Sequence, residues 1–140
     1  MSSHLSVRVD DDLLQRLEDE CRKSGQSRSA LAKQLLEEGL RMQRHPGIVF
    51  RPGATGRRPA LAGGPAVWVV ARIFREWEGP PGEMTPFIMD SLEITAQQVS
   101  VAAGYYAEYR DEIDDWLDRL DEEADRAKAD WMRQRAILRE

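Results

Sequence analysis

One cysteine, Cys21, is all the sequence holds, so no disulfide can form within the chain. A lone cysteine points to a reducing cytosol, so a cytoplasmic protein is expected. Long apolar runs are missing too. No stretch approaches the roughly 20 residues that a membrane helix needs, so no membrane role is expected. The opening residues, MSSHLSVRVDD, lack the apolar stretch of a secretion signal. Histidine is nearly absent. His4 and His45 stand far apart and at no metal-ligand spacing with Cys21, which argues against zinc, and no other cofactor is expected. No nucleophile–base pair or carboxylate constellation suggests catalysis, so an enzyme is not expected. The run GATGRR at residues 53–58 has no Lys-Ser/Thr pair and no strand-to-helix setting, which excludes a phosphate-binding loop.

Charge is what the chain has in plenty. Charged residues make up 32% of its 140 positions and the net charge is −5. The charge is unevenly placed. Residues 1–45 carry eight bases and eight acids. Residues 46–89 carry five bases and three acids, and residues 90–140 seven bases and fourteen acids. Such asymmetry suggests different partners for different parts. Three segments are expected: 1–44, 45–110 and 111–140.

In the first segment, HLSVRV at residues 4–9 alternates like a strand. Leu5, Val7 and Val9 fall on one side, and His4, Ser6 and Arg8 on the other. Asp10 is a good helix N-cap, with Asp11 and Asp12 in the first turn. Leu13, Leu14, Leu17 and Cys21 make one helical stripe, and Gly25 a C-cap. Ser27 is a candidate N-cap for a second helix, with Leu31, Leu35, Leu36 and Leu40 on its buried side. A six-residue strand is not stable alone. The simplest partner is the same strand of a second copy, antiparallel about a two-fold axis. That pairing sends Leu5, Val7 and Val9 inward. It leaves His4, Ser6 and Arg8 on a polar two-stranded ribbon of a size that fits the DNA major groove.

These residues resemble the ribbon-helix-helix family of small dimeric repressors. The likeness rests on the alternating strand, the acidic helix start, the G-x-S-[KR]-S turn at residues 25–29 and the leucines that follow. It implies a homodimer through the N-terminal strand, bound to operator double-stranded DNA. It further implies base reading by His4, Ser6 and Arg8. Backbone amides around Ser27, Arg28 and Ser29 then hold a phosphate, as helix N-termini do. The segment is neutral, whereas many such repressors are basic. Binding is therefore expected to be modest, salt-sensitive and dependent on several dimers side by side.

In the second segment, GIVFRPG and GRRPALAGG read as two short strands around a Pro52-Gly53 turn. GGPAVWVVARIFREW reads as a helix with a stripe of Val67, Val70, Ala71 and Phe74. A short helix after Pro86 is expected to carry Phe87, Ile88 and Leu92. Thr95 and Gln98 form a capping box, and Val99, Ala102, Ala103 and Tyr106 line one face of the helix that follows. This predicts a small helix-turn-helix-like domain with a β-hairpin. GRRPALAGG and YYAEYRDEID are similar to a small bacterial domain of unknown function that often occurs in antitoxins. The likeness implies an antitoxin of a type II toxin–antitoxin pair, with a toxin nuclease of the PIN or PIN-like class as partner.

The third segment has no Gly or Pro. Ile113, Leu120 and Ala127 recur every seven residues, as do Leu117, Ala124, Trp131 and Leu138; Gln134 interrupts the first column. Residues 111–125 hold nine acids and one base, and residues 126–140 five bases and two acids. The acidic run reads as a solvated helix face. Exposed Trp116, Trp131, Met132 and Leu138 read as an apolar face for a partner's groove; for Trp131 and Leu138 the other reading is packing on the protein's own dimer, as a coiled coil. Arg133, Arg135 and Arg139 are candidates to pair with the metal-holding carboxylates of the nuclease. The expected fold is mainly α: an N-terminal ribbon-helix-helix, a small helical domain with a β-hairpin, and a long C-terminal amphipathic helix. Two other readings stand beside the antitoxin. One is a ribbon-helix-helix transcriptional regulator without a toxin partner, and the other a structural partner-binding protein.

Overall fold

A computed structural model describes residues 1–54 and 56–139. Thr55 and Glu140, the last residue of the expected third segment, lie outside them. The chain divides into two compact units, 1–43 and 44–140. Among the described residues, no helix is long and apolar enough to cross a membrane.

The first unit begins with residues 1–10, which form no helix or strand within the single chain. Helix α1 (Asp11–Ser24) starts where the Asp10 carboxylate accepts the Leu13 N–H at 2.8 Å. This bond satisfies one of the donors that every helix start leaves open. The helix ends at Gly25, whose φ of 71° is left-handed and whose N–H donates to the Cys21 carbonyl at 2.9 Å. Helix α2 (Arg28–Arg44) is capped by Ser27, whose Oγ accepts the Ala30 N–H at 3.1 Å. Its last residue, Arg44, falls in the second unit.

The leucines expected to be buried on α2 are split. Leu31 is buried, but Leu35, Leu36 and Leu40 are exposed. On α1 no residue is fully buried, and Leu14, Leu17 and Cys21 are half-buried. Two amphipathic helices alone have too few apolar faces to cover one another.

The second unit holds a hairpin and four helices. Strands β1 (Ile48–Gly53) and β2 (Gly56–Leu61) pair antiparallel, from Ile48 opposite Leu61 to Gly53 opposite Gly56. The chain therefore reverses after Gly53, and Pro52 is a strand residue opposite Arg57. A two-stranded ribbon tolerates proline because each strand has an open edge.

Helix α3 (Val67–Glu76) buries Val67, Val70 and Ala71. Phe74 is half-buried and stacks on Tyr106 at 6.0 Å. Helix α4 (Pro81–Leu92) starts five residues before Pro86, the expected start. Pro81 sits in its first turn, where the missing N–H costs nothing, and Pro86 lies inside the helix. Ile88 is buried, while Phe87 is exposed and leans on Trp77 at 5.2 Å.

Helix α5 (Ala96–Glu108) opens on the expected capping box. Thr95 Oγ1 accepts the Gln98 N–H at 3.1 Å, and Gln98 Oε1 accepts the Thr95 N–H at 2.9 Å. Val99, Ala102 and Tyr106 are buried as expected. Tyr105, fully buried, takes the place expected for Ala103, which is exposed. The side chains of Ile48, Leu61, Val67, Val70, Ile88, Val99, Tyr105, Ile113 and Leu117 form the core.

Tyr109 alone separates α5 from α6 (Arg110–Leu138). The first turns of α6 belong to this core through Ile113 and Leu117, with Leu120 half-buried against it. From Glu122 onward nearly every described side chain of α6 is exposed.

Candidate nucleic-acid interface and C-terminal partner face

The N-terminal arm carries His4, Ser6 and Arg8, the expected reading side chains. His4 Nε2 and Ser6 Oγ lie 2.8 Å apart, which places these two side chains on the same side of the arm. Leu5, Val7 and Val9 are 69%, 71% and 46% exposed. The arm thus leaves three apolar side chains open to water in the single chain.

At the start of α2, Ser27 is occupied as a cap and Arg28 Nη1 is held by Glu18 Oε1 of α1 at 3.1 Å. The Arg28 guanidinium is thus tied to the first helix. Backbone N–H groups in the first turn of a helix are open donors of the kind that can bind an anion.

The C-terminal candidates fall into two groups. Trp116, expected to be exposed, is half-buried against its own hairpin. The Arg58 guanidinium lies 3.6 Å from its ring centre, a stacked cation–π contact. Pro59, Trp68, Glu112 and Ile113 line the same cleft. Trp116 points this way because it sits one position before Leu117, whose burial turns that side of α6 toward the hairpin and α3.

Trp131, Met132 and Leu138 are exposed at 54%, 57% and 58%. Ile137, which the sequence reading passed over, is the most exposed of this group. Its position beside Leu138 at the apolar end of α6 was the signal. Arg135 leans over the Trp131 ring at 4.7 Å, and Arg133 pairs with Asp130. Arg139 ends the helix in a left-handed conformation.

The acidic run of α6 is more than a solvated face. Arg72 Nη1 bonds Asp121 at 2.9 Å, and Arg75 bonds Asp118 at 2.9 Å and Asp121 at 3.4 Å. These pairs tie α3 to α6. The Arg75 pKa is raised: burial works against the charge, but the bond to Asp118 and the three nearby aspartates outweigh it. The Tyr106 hydroxyl donates to Asp114 at 2.7 Å. Burial, reinforced by this carboxylate, pushes its pKa up to about 12.

At the other end of α5, Glu108 accepts from Arg44 at 2.8 Å and contacts His45. These two bonds hold its carboxyl below the usual carboxylate range. The pairs of Arg72 and Arg75 span 43 to 49 positions and those of Glu108 span 63 or 64. No local pattern in the sequence reveals them.

Neither the curated proteins nor the solved structures give a match to the chain. A family model does. Residues 4–41 match the one described as ribbon-helix-helix protein, copG family. The matched stretch takes in the arm, both caps and most of α2, the parts built above from residue chemistry. The N-terminal segment therefore carries the ribbon-helix-helix pattern of the copG family, a family of DNA-binding regulators.

Proposed function

We propose that the chain acts as a homodimeric operator-binding repressor in the bacterial cytoplasm. The observation that carries this reading is the open apolar side of the first unit. Leu5, Val7 and Val9 on the arm, and Leu35, Leu36 and Leu40 on α2, are all exposed in the single chain. Two arms paired antiparallel would satisfy their backbone groups and lay both sets of apolar side chains over the four helices. His4, Ser6 and Arg8 of each copy then line the outer side of the ribbon. Arg8 suits guanine O6 and N7, Ser6 either partner of several base pairs, and His4 a base or a phosphate. The first-turn amides at Ser27, Arg28 and Ser29 hold the flanking phosphate and set the register without reading sequence.

A gel-shift titration of Arg8→Ala against the specific operator tests the claim. A guanine contact is worth about 1–3 kcal/mol. Affinity unchanged from the parent chain would remove Arg8 from the interface.

The finer reading is an antitoxin that also silences a PIN-like ribonuclease encoded beside it. Its support is the exposed distal part of α6, where Trp131, Met132 and Leu138 lie among Arg133, Arg135 and Arg139. Tryptophan and arginine are frequent anchors of interfaces. The three arginines would pair with the carboxylates that hold the nuclease's metal. The half-buried Trp116 would contribute only its exposed edge. Co-purification with the neighbouring gene product tests this, and so does the triple variant Arg133→Gln, Arg135→Gln, Arg139→Gln. Full inhibition of the nuclease by the triple variant refutes the arginine mechanism. A chain with no toxin gene beside it is the regulator without a partner.

A further inference from the structure

The apolar stripe of α6 runs on past the core that uses it. Ile113, Leu117, Leu120, Ala124, Ala127, Trp131, Gln134 and Leu138 alternate at spacings of four and three. Ile113 and Leu117 are buried in the second unit and Leu120 is half-buried. Beyond them the same stripe is open, with Trp131 54% and Leu138 58% exposed. We propose that this open stretch pairs with the same stretch of a second copy, antiparallel, with Leu138 of one chain opposite Leu120 of the other.

Charge decides the direction. Residues 111–125 hold nine acids and one base, and residues 126–140 five bases and two acids. A parallel pair lays acidic half on acidic half. An antiparallel pair lays the basic end of each helix toward the acidic part of the other. In the stated register, the stretch of one helix that carries Arg133 and Arg135 lies along Glu123 and Asp125 of the other, and the two-fold axis repeats this pairing.

Side-chain size decides the register. With Leu120 opposite Leu138 of the second copy, Ala127 stands opposite Trp131 and Ala124 opposite Gln134. Each indole then meets a methyl group, the alternation of large and small that lets facing layers interdigitate. The overlap from 120 to 138 spans about 27 Å at 1.5 Å per residue.

The end of the overlap meets a ready socket. A cleft of about 310 Å³ opens beside Leu120, lined among others by Pro52, Trp68 and Trp116. Leu138 of the second copy, placed opposite Leu120, faces this cleft. The pairing would join repressor dimers to one another, or close within one dimer as a second two-fold contact. It does not rest on the nuclease reading; nuclease and second copy compete for Trp131 and Leu138.

Engineered cysteines in the full chain, with Cys21→Ser removing the native thiol, test the pairing. The double variant Ala124→Cys with Gln134→Cys places thiols opposite one another between copies. Within one helix they are about 15 Å apart and cannot join. Mild oxidation is expected to yield covalent dimers from the double variant and almost none from Ala124→Cys alone. Adding Trp131→Ala should lower the dimer yield several-fold. Strong crosslinking of Ala124→Cys alone means a parallel pair and overturns the proposal. So does an uncrosslinked double variant whose circular dichroism matches the parent, since the stripe is then kept for another partner. Operator binding, measured on the same chains, reports separately on the N-terminal ribbon.

Discussion

Val7→Ala isolates the pairing of the N-terminal arms. Val7 is 71% exposed in the single chain, so dimerisation can remove most of its side chain from water. The substitution deletes two methyl groups, each worth about 0.8 kcal/mol when fully buried. Scaled by the exposed fraction, the loss is about 1 kcal/mol per copy. The two-fold axis doubles it to about 2 kcal/mol, or roughly thirtyfold in the dimer dissociation constant. Sedimentation equilibrium over a range of chain concentrations measures this constant directly. Ser6→Ala is the internal control. Its side chain lies on the other side of the arm, next to His4 at 2.8 Å. It should leave dimerisation within a factor of two or so and weaken operator binding instead. Equal dissociation constants for the parent and Val7→Ala would refute the inward placement of Val7. A Ser6→Ala dimer as weak as the Val7→Ala dimer would refute the alternation itself.

Other changes test the rest of the chain. Leu117→Ala should destabilise the second unit by about 3 kcal/mol in urea unfolding, because the side chain is fully buried where α6 meets the core; a loss below about 1 kcal/mol would mean that α6 does not belong to it. Gly25→Ala should cost about 1 kcal/mol although the site is open, because its φ of 71° is left-handed. The Glu108 carboxyl is held low in the folded chain, so its contribution is present in full above the ordinary carboxylate pKa. It fades as pH falls through that value toward the lowered one. Acid unfolding of Glu108→Gln should therefore be flatter below about pH 4.5 than that of the parent; identical profiles would show that the Arg44 and His45 bonds do not persist in solution.

The parts of the fold that the sequence announces are those controlled by neighbours in the chain. Asp10 and Gly25 mark both ends of α1, and Thr95 with Gln98 marks the start of α5, because caps are bonds across three or four positions. The alternation at residues 4–9 shows which side chains share a side, and the family match over residues 4–41 agrees with that segment. Two proline-bearing stretches read ambiguously. Pro81 and Pro86 both satisfy the rule for a helix start, and the earlier one prevails. Trp116 could not be placed from its own helix. What half-buries it is Arg58 and Trp68, brought there by the hairpin and α3. The acidic run likewise reads as solvent-facing until Arg72 and Arg75 of α3 are brought against it.

Those two arginines also explain how one unbroken helix serves two ends. Asp118 and Asp121 are held by Arg75 and Arg72 at the turn where the apolar stripe leaves the core. Ion pairs that are partly exposed contribute little each, on the order of 1 kcal/mol or less. Their weight here is in direction rather than in stability. Bonded on one flank to α3, with Ile113 and Leu117 in the core, the first turns of α6 are fixed in rotation. A helix without Gly or Pro carries that rotation forward, so the azimuth of Trp131 and Leu138 is set by residues 10 to 25 positions before them. Arg75→Ala therefore loosens the aim of the distal stripe while leaving its composition intact. Crosslinking through Ala124→Cys and Gln134→Cys should fall in that background even though no residue of the paired stretch has changed. Unchanged crosslinking would show that Ile113 and Leu117 set the rotation without help from the charges.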